Sequence, residues 1–316
     1  MSTSKDDTKV IDTKISAAVT HPAQSTVLLR KCFAAGTACG ISGFTTNPFD
    51  VVKIRNQQYG GGKYGKFFDT FKNIYLEEKG VRGLLKGAKP TVVRELTYSS
   101  FRMGMYEPIK DLVVLVTRQE ENSTSPVVKW CSAFLSGGIG SALFNPIDLI
   151  KVRFQSNLPG QKMPYNGSIF LALKTIYKNE GLKTGLYKGS TATVIRAALL
   201  TSGQLGTYDV FKNNLLVEKL NFDKNTVTTH LLGSLLASLV ATTVCNPADV
   251  IKTRMMNDVS GGKVKFSNVC MDMLRQEGAM AFMKGWTASY SRIGPHTVIS
   301  FILVEQIRRM IGLSTY

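Results

Sequence analysis

No two of the five cysteines (Cys32, Cys39, Cys131, Cys245, Cys270) are spaced as CxxC, and most sit among small residues, where a thiol behaves as a small hydrophobe. We therefore expect neither a disulfide framework nor a metal site. A secretory signal is missing too. Residues 1–26 mix Lys5, Asp6, Asp7, Lys9, Asp12 and Lys14 with Ser and Thr, without an apolar core or the arginine-rich, acid-poor pattern of a transit peptide. They read as a disordered tail, which leaves targeting to internal signals. No Ser/His/Asp set recurs along the chain, and Gly36, Gly40 and Gly43 lack the preceding strand of a phosphate loop; they read as close helix packing. An enzyme finds no support. Acidic residues are scarce, 22 against 39 Lys and Arg, for a formal net charge of +17. Such an excess suits nucleic acid, anionic lipid or anionic solutes. The basic residues flank apolar spans at repeated positions instead of forming one aromatic-laced stripe, which argues against nucleic acid.

What is present is a stretch that occurs three times. Asn47-Pro48-Phe49-Asp50-Val51-Val52-Lys53-Ile54-Arg55-Asn56-Gln57 recurs from Asn145 to Gln155 with its Asn-Pro, Asp, Lys, Arg and final Gln kept. It recurs again from Asn246 to Met256 with the Asn-Pro, Asp, Lys and Arg kept and the final Gln replaced. The prolines are 98 and 101 residues apart, so a period of about a hundred residues overrides the two-domain expectation from length alone. A mean hydropathy of +0.01 looks soluble. Locally, however, residues 28–44, 127–144 and 227–244 are each close to the ~20 apolar residues that cross a bilayer, and each ends just before its proline. Ser, Thr and Gly dilute these runs, as expected where one helix face lines water or packs closely on a neighbour.

Each repeat reads as two membrane helices joined by a short amphipathic helix. In the first, residues 28–57 form one helix broken at Pro48. Phe67, Phe68, Phe71, Ile74 and Tyr75 then recur at helical spacing, Gly80, Gly83 and Gly87 turn the chain, and a second span covers 90–114. The other short helices fall at 168–180 and 267–277, and the other second spans at 192–216 and 288–311. The expectation is an all-α membrane protein of six transmembrane helices: a tail at 1–26 and repeats at 27–120, 121–220 and 221–316.

Counting forward seven residues from Gly87, Gly189 and Gly285 reaches Arg94, Arg196 and Arg292. Thirteen further on stand acids, Glu107, Asp209 and Glu305, and three beyond those stand bases, Lys110, Lys212 and Arg308. At ~1.5 Å per residue, thirteen residues span roughly 20 Å, so the arginines belong near mid-membrane with charged layers on both sides. An arginine at a bilayer centre costs about 2.5–3.5 kcal/mol even on lenient scales, so all three should face an aqueous interior. Like charges ~10 Å apart repel by about 1.7 kcal/mol at an effective dielectric of 20, and an anion would relieve this. The plainer alternative is pairing with nearby acids, which Glu95 and Glu305 could supply for one or two arginines. Arg196, beside Ile195, Ala197 and Ala198, has no local acid, and this favours an anion. His296 shares the face of Arg292, and Arg102 lies two turns beyond Arg94. For Asp50/Lys53, Asp148/Lys151 and Asp249/Lys252, pairing within a helix contributes only about 0.3–0.5 kcal/mol. Threefold symmetry instead allows the acid of one repeat to meet the base of the next, closing a ring around a central path, and the same holds for the acid/base pairs downstream. Two rings of weak pairs at opposite ends of a cavity suit a two-state gate.

The triplicate proline-x-acid-x-x-base signature, with Gln57 and Gln155, Tyr106-Glu107 to Lys110 and Tyr208-Asp209 to Lys212, resembles the mitochondrial carrier family over residues ~27–312. The resemblance implies a matrix-side gate at Asp50, Lys53, Asp148, Lys151, Asp249 and Lys252, braced by Gln57 and Gln155. It implies a cytoplasmic-side gate at Glu107, Lys110, Asp209, Lys212, Glu305 and Arg308. It further implies a multi-pass inner-membrane protein, cardiolipin at helix N-termini, no cofactor, and function as a monomer. Arg292-Ile293-Gly294-Pro295-His296-Thr297, Gln204 to Asp209 and the three arginines are similar to the dicarboxylate, oxoglutarate and uncoupling-protein branch. Gln204 sits where nucleotide-regulated uncoupling proteins are expected to hold an acid. Glu95 departs from the usual Gln, and Met256 and Val304 replace a Gln and an aromatic, which predicts a weaker brace at one end. The implied function is antiport of small dicarboxylates such as malate, succinate or oxoglutarate, with phosphate as a candidate counter-anion. Arg94, Arg196, Arg292, Gln204, His296 and Arg102 would be the substrate contacts. An uncoupling-type proton leak and a non-transporting adaptor are the alternatives.

Overall fold

Helices follow the apolar runs in the computed structural model, which describes residues 22–59, 66–78, 80–117, 126–158, 161, 164–211, 215, 218, 227–258 and 266–311. In the first repeat α1 (Pro22–Thr45) gives way at Thr46 to α2 (Asn47–Tyr59). In the second, α6 (Pro126–Leu143) meets α7 (Asn145–Gln155) across Phe144 at an angle of 65°. A proline in the first turn of α2 or α7 is tolerated, because its missing N–H would have had no helical partner there. The third repeat differs from expectation: α10 (Val227–Asn257) runs through Pro247 without a break. Proline removes one i→i−4 bond there, and the chain on both sides stays helical.

The short amphipathic helices are α3 (Phe67–Glu77), α8 (Ile169–Glu180) and α11 (Phe266–Glu277). Ile74, Ile176 and Met273 are their buried anchors, while Phe68 and Phe170 point outwards, 81% and 77% exposed. A glycine turn follows each, with α4 (Val81–Leu84) in the first, and then the second long helices: α5 (Ala88–Thr117), α9 (Ser190–Val210) and α12 (Trp286–Met310). Packing closes these units into a ring in chain order: α1 on α5, α5 on α6, α6 on α9, α9 on α10, α10 on α12, and α12 back on α1. Gly36 and Gly43 let α1 approach α5 closely, since a Cβ on Gly36 would lie 2.9 Å from the Leu96 carbonyl oxygen.

Three apolar clusters form at one end of the ring, where α2, α7 and the corresponding part of α10 meet the short helices. Leu149, Ile150, Phe154 and Ile176 make one, Val51, Val52, Ile74 and Leu84 the second, and Val250, Ile251, Met255 and Met273 the third. Along the barrel the usual inside-out order reverses. Leu29, Phe33, Ile41, Ile139, Leu143, Leu239 and Val244 face outwards, while Ser42, Ser132, Ser136, Ser238 and Thr242 are buried. Among the described residues one helix, over Leu232–Asn257, is long and apolar enough to cross a membrane alone, and the bent α6/α7 pair qualifies if taken as one span. All five cysteines are free thiols.

Candidate functional site

The ring encloses a cavity of about 270 Å³ whose floor is charged. Lys53 pairs with Asp249 at 2.6 Å, Lys151 with Asp50 at 2.8 Å and Lys252 with Asp148 at 2.8 Å. Every pair joins two repeats. The three Asp-Lys pairs thus lie between helices and not within them, because each Lys is turned toward the neighbouring repeat's acid. The closed floor seals one end.

Each aspartate also takes an arginine. Arg94 Nε reaches Asp148 Oδ1 at 2.9 Å, Arg292 forms an ion pair with Asp50 Oδ1 at 2.5 Å, and Arg196 bonds to Asp249. Arg196, which has no acid nearby in the sequence, is thus paired all the same. Its partner stands 53 residues downstream, brought alongside by the packing of α9 on α10. Arg94 Nη1 additionally donates to Glu95 Oε1 at 2.7 Å, and Arg292 Nη2 stands 3.4 Å from the same oxygen. The Arg94 guanidinium lies over the Tyr98 ring, 4.5 Å from its centroid, which adds a cation–π contact. Seven basic side chains and four carboxylates line the cavity among the described residues, so its lining is decidedly cationic.

His296 and Arg102 also line the cavity, Arg102 on an exposed stretch of α5. The His296 carbonyl oxygen accepts from Ser42 Oγ at 2.9 Å, locking α12 to α1 at that level. The side chains of Gln204, Asp209 and Glu305, and all of Lys212, lie outside the described residues. At the end opposite the floor, Glu107 and Lys110 pair with one another inside α5 at 3.7 Å, and Glu107 is 61% exposed. Arg308 lies in the last turn of α12.

Beneath the floor lies a buried polar layer. Gln57 Oε1 accepts from Thr253 Oγ1 at 2.8 Å, while Gln155 Nε2 donates to Asn47 Oδ1 at 2.9 Å and to Thr91 Oγ1 at 3.2 Å. Met256 is fully buried at the third equivalent position, packed beside Gly189, and offers no side-chain amide there.

Two further sets belong to this construction and were given no role from sequence. Asn47 Nδ2 donates to the carbonyls of Leu84 and Lys86, Asn145 to those of Leu186 and Lys188, and Asn246 to those of Phe282 and Lys284, so each pins the turn of its own repeat. Arg55, Arg153 and Arg254 bind Glu78, Glu180 and Glu277 at the ends of the short helices. Their Nε groups donate across the repeat boundary to the carbonyls of Gln155, Met256 and Gln57. The sequence carried the signal: a base two residues after each floor lysine, and a glutamate 23 to 27 residues later.

A family model described as mitochondrial carrier protein matches this chain three times, at residues 24–116, 122–219 and 223–314. A mitochondrial dicarboxylate transporter of Saccharomyces cerevisiae is 38% identical over 278 residues, 87% of this chain and 90% of its own length. The mitochondrial citrate transporter F of Aspergillus niger is 35% identical over 283 residues, 88% of each chain. Mitochondrial uncoupling protein 4 of Arabidopsis thaliana is 32% identical over 308 residues, 87% of this chain and 96% of the relative.

Proposed function

The chain belongs to the mitochondrial carrier family, and from that membership we propose that it is a multi-pass antiporter of the mitochondrial inner membrane that exchanges small dicarboxylates by alternating access. The observation that carries this reading is the cationic cavity above a closed floor. A dianion entering it meets Arg94, Arg196 and Arg292 at one level, and their planar donors match carboxylate geometry. Malate, succinate and oxoglutarate have the right charge, and phosphate is a candidate counter-anion.

Six long helical units cross the bilayer in this reading. Four of them, among the described residues, are not apolar enough to qualify as spans alone, and Arg94, Glu95, Arg196 and Arg292 within them face the cavity. The closed floor faces the matrix. The other end faces the intermembrane space, where Glu107, Lys110, Asp209, Lys212, Glu305 and Arg308 come together when the floor opens. Gln57 and Gln155 brace the floor. Cardiolipin phosphates bind at the N-termini of helices that begin after the glycine turns, and the carrier works as a monomer. Binding of the substrate anion competes for the arginines that hold the floor aspartates, which couples occupancy to opening.

Purified protein in liposomes loaded with malate tests the assignment. Arg196→Ala should lower malate exchange by about 10- to 100-fold, the loss of a charge-assisted contact of about 1.5–3 kcal/mol. Undiminished exchange would overturn it. Proton conductance without exchange in the wild type would instead select an uncoupling-type carrier.

A further inference from the structure

Among the described residues, Glu95 is the one carboxylate in the cavity that belongs to no floor pair. It is only 4% exposed, and its stem packs where a Cβ on Gly43 would come within 2.8 Å of its Cγ, so α1 is shaped to receive it. Its Oε1 holds Arg94 and faces Arg292, two of the three registered arginines. Arg196 has only Asp249 as a carboxylate partner among the described residues, so more of its donors are open to the cavity.

The charges partition accordingly. Lys53, Lys151 and Lys252 are balanced by Asp249, Asp50 and Asp148. Three guanidinium groups remain, and Glu95 cancels one of them, leaving two positive charges at the level where substrate binds. Arg102 lies on the exposed wall, where water and salt screen it.

We propose that Glu95 is a specificity-determining residue that sets the carrier's preference for dianions over trianions and directs substrate carboxylates toward Arg196. The proposal rests on the dicarboxylate reading above. With a neutral side chain at this position, the same level of the cavity would carry a net charge of three and would suit a tricarboxylate.

Glutarate and tricarballylate share a three-carbon backbone and differ by one carboxylate, so they isolate charge from shape. Both are offered as competitors of labelled malate uptake into malate-loaded liposomes, at a pH where all their carboxyls are ionised. The wild type should favour glutarate. Glu95→Gln should improve tricarballylate relative to glutarate by about tenfold or more, the scale expected for one unit charge in a partly desolvated site. Glu95→Asp, which keeps the charge, should stay within about threefold of the wild type. An unchanged ratio in Glu95→Gln alongside normal malate exchange overturns the role of Glu95 and leaves the dicarboxylate reading intact. Absence of any dicarboxylate exchange by the wild type overturns both. If Glu95→Gln does not fold, thermal shift of the wild type decides: stabilisation by tricarballylate equal to or greater than that by glutarate overturns the proposal.

Discussion

At the scale of single residues, Gly87 and Gly285 show how tightly the floor is built. Both hold positive φ, +71° and +73°, and an added Cβ would lie 2.6 Å from Gln155 Cγ and 2.9 Å from Gln57 Cγ. Only glycine satisfies both constraints without strain. Gly87→Ala should cost about 1–3 kcal/mol, read as a lower thermal unfolding temperature in detergent. Gly138→Ala, with nothing within 4 Å of the added methyl, should be neutral or stabilising by up to about 1 kcal/mol. Equal melting of the two variants would remove the packing explanation. The arginines that follow these glycines were legible in the sequence because a turn glycine fixes the phase of the next helix. Their partners were not. Asp148 lies 54 residues from Arg94 and Asp249 lies 53 from Arg196, so a search for local acids misses contacts that exist only once the ring closes.

At the scale of elements, apolar periodicity located the helices well. Phe67, Phe71 and Ile74 mark α3 because a short helix lying against the barrel needs one apolar face, and α8 (Ile169–Glu180) and α11 (Phe266–Glu277) fall within a residue of the expected 168–180 and 267–277. The continuous path of α10 through Pro247 was not legible, since proline removes one hydrogen bond and the neighbours decide whether the helix breaks there. What ties the short helices to the floor is the Arg-Glu link, and its burial falls from repeat to repeat. The Arg55 and Glu78 side chains are 0% and 3% exposed, those of Arg153 and Glu180 5% and 7%, and those of Arg254 and Glu277 17% and 29%. Removing one partner of a buried pair strands the other charge. Glu78→Gln should therefore cost about 3–5 kcal/mol. Glu277→Gln should cost less than about 1 kcal/mol, because water screens it. Equal losses on thermal unfolding would contradict this order. The hydrogen bond from Arg254, with Lys284 adding to it, holds the Glu277 carboxyl below the ordinary glutamate range. A depressed carboxylate contributes stability that is present above its unfolded value and is lost as the pH falls toward the folded one, so wild type and Glu277→Gln should converge in acid.

At the scale of the whole molecule, the floor is a lattice in which each aspartate belongs to all three repeats. Asp50 stands in the first, takes Lys151 from the second and faces Arg292 from the third. Asp148 joins Lys252 of the third repeat to Arg94 of the first, and Asp249 joins Lys53 of the first to Arg196 of the second. Acid and base are thus unequal members of the ring. Loss of a lysine leaves its aspartate with an arginine, whereas loss of Asp148 strands Lys252 beside an Arg94 held by Glu95 alone, two cations facing one another at a buried level. Lys252→Gln should destabilise the closed floor by about 1–2 kcal/mol, and Asp148→Asn by about 3–5 kcal/mol. Thermal unfolding of substrate-free protein in detergent measures the difference, and a loss in Lys252→Gln as large as that in Asp148→Asn would refute the shared-aspartate account. The same asymmetry bears on transport. An anion on Arg94 or Arg196 competes with a floor aspartate for its guanidinium, so malate should narrow the stability gap between Asp148→Asn and wild type, because the bound dianion supplies the stranded cations with the negative charge that the substitution removed.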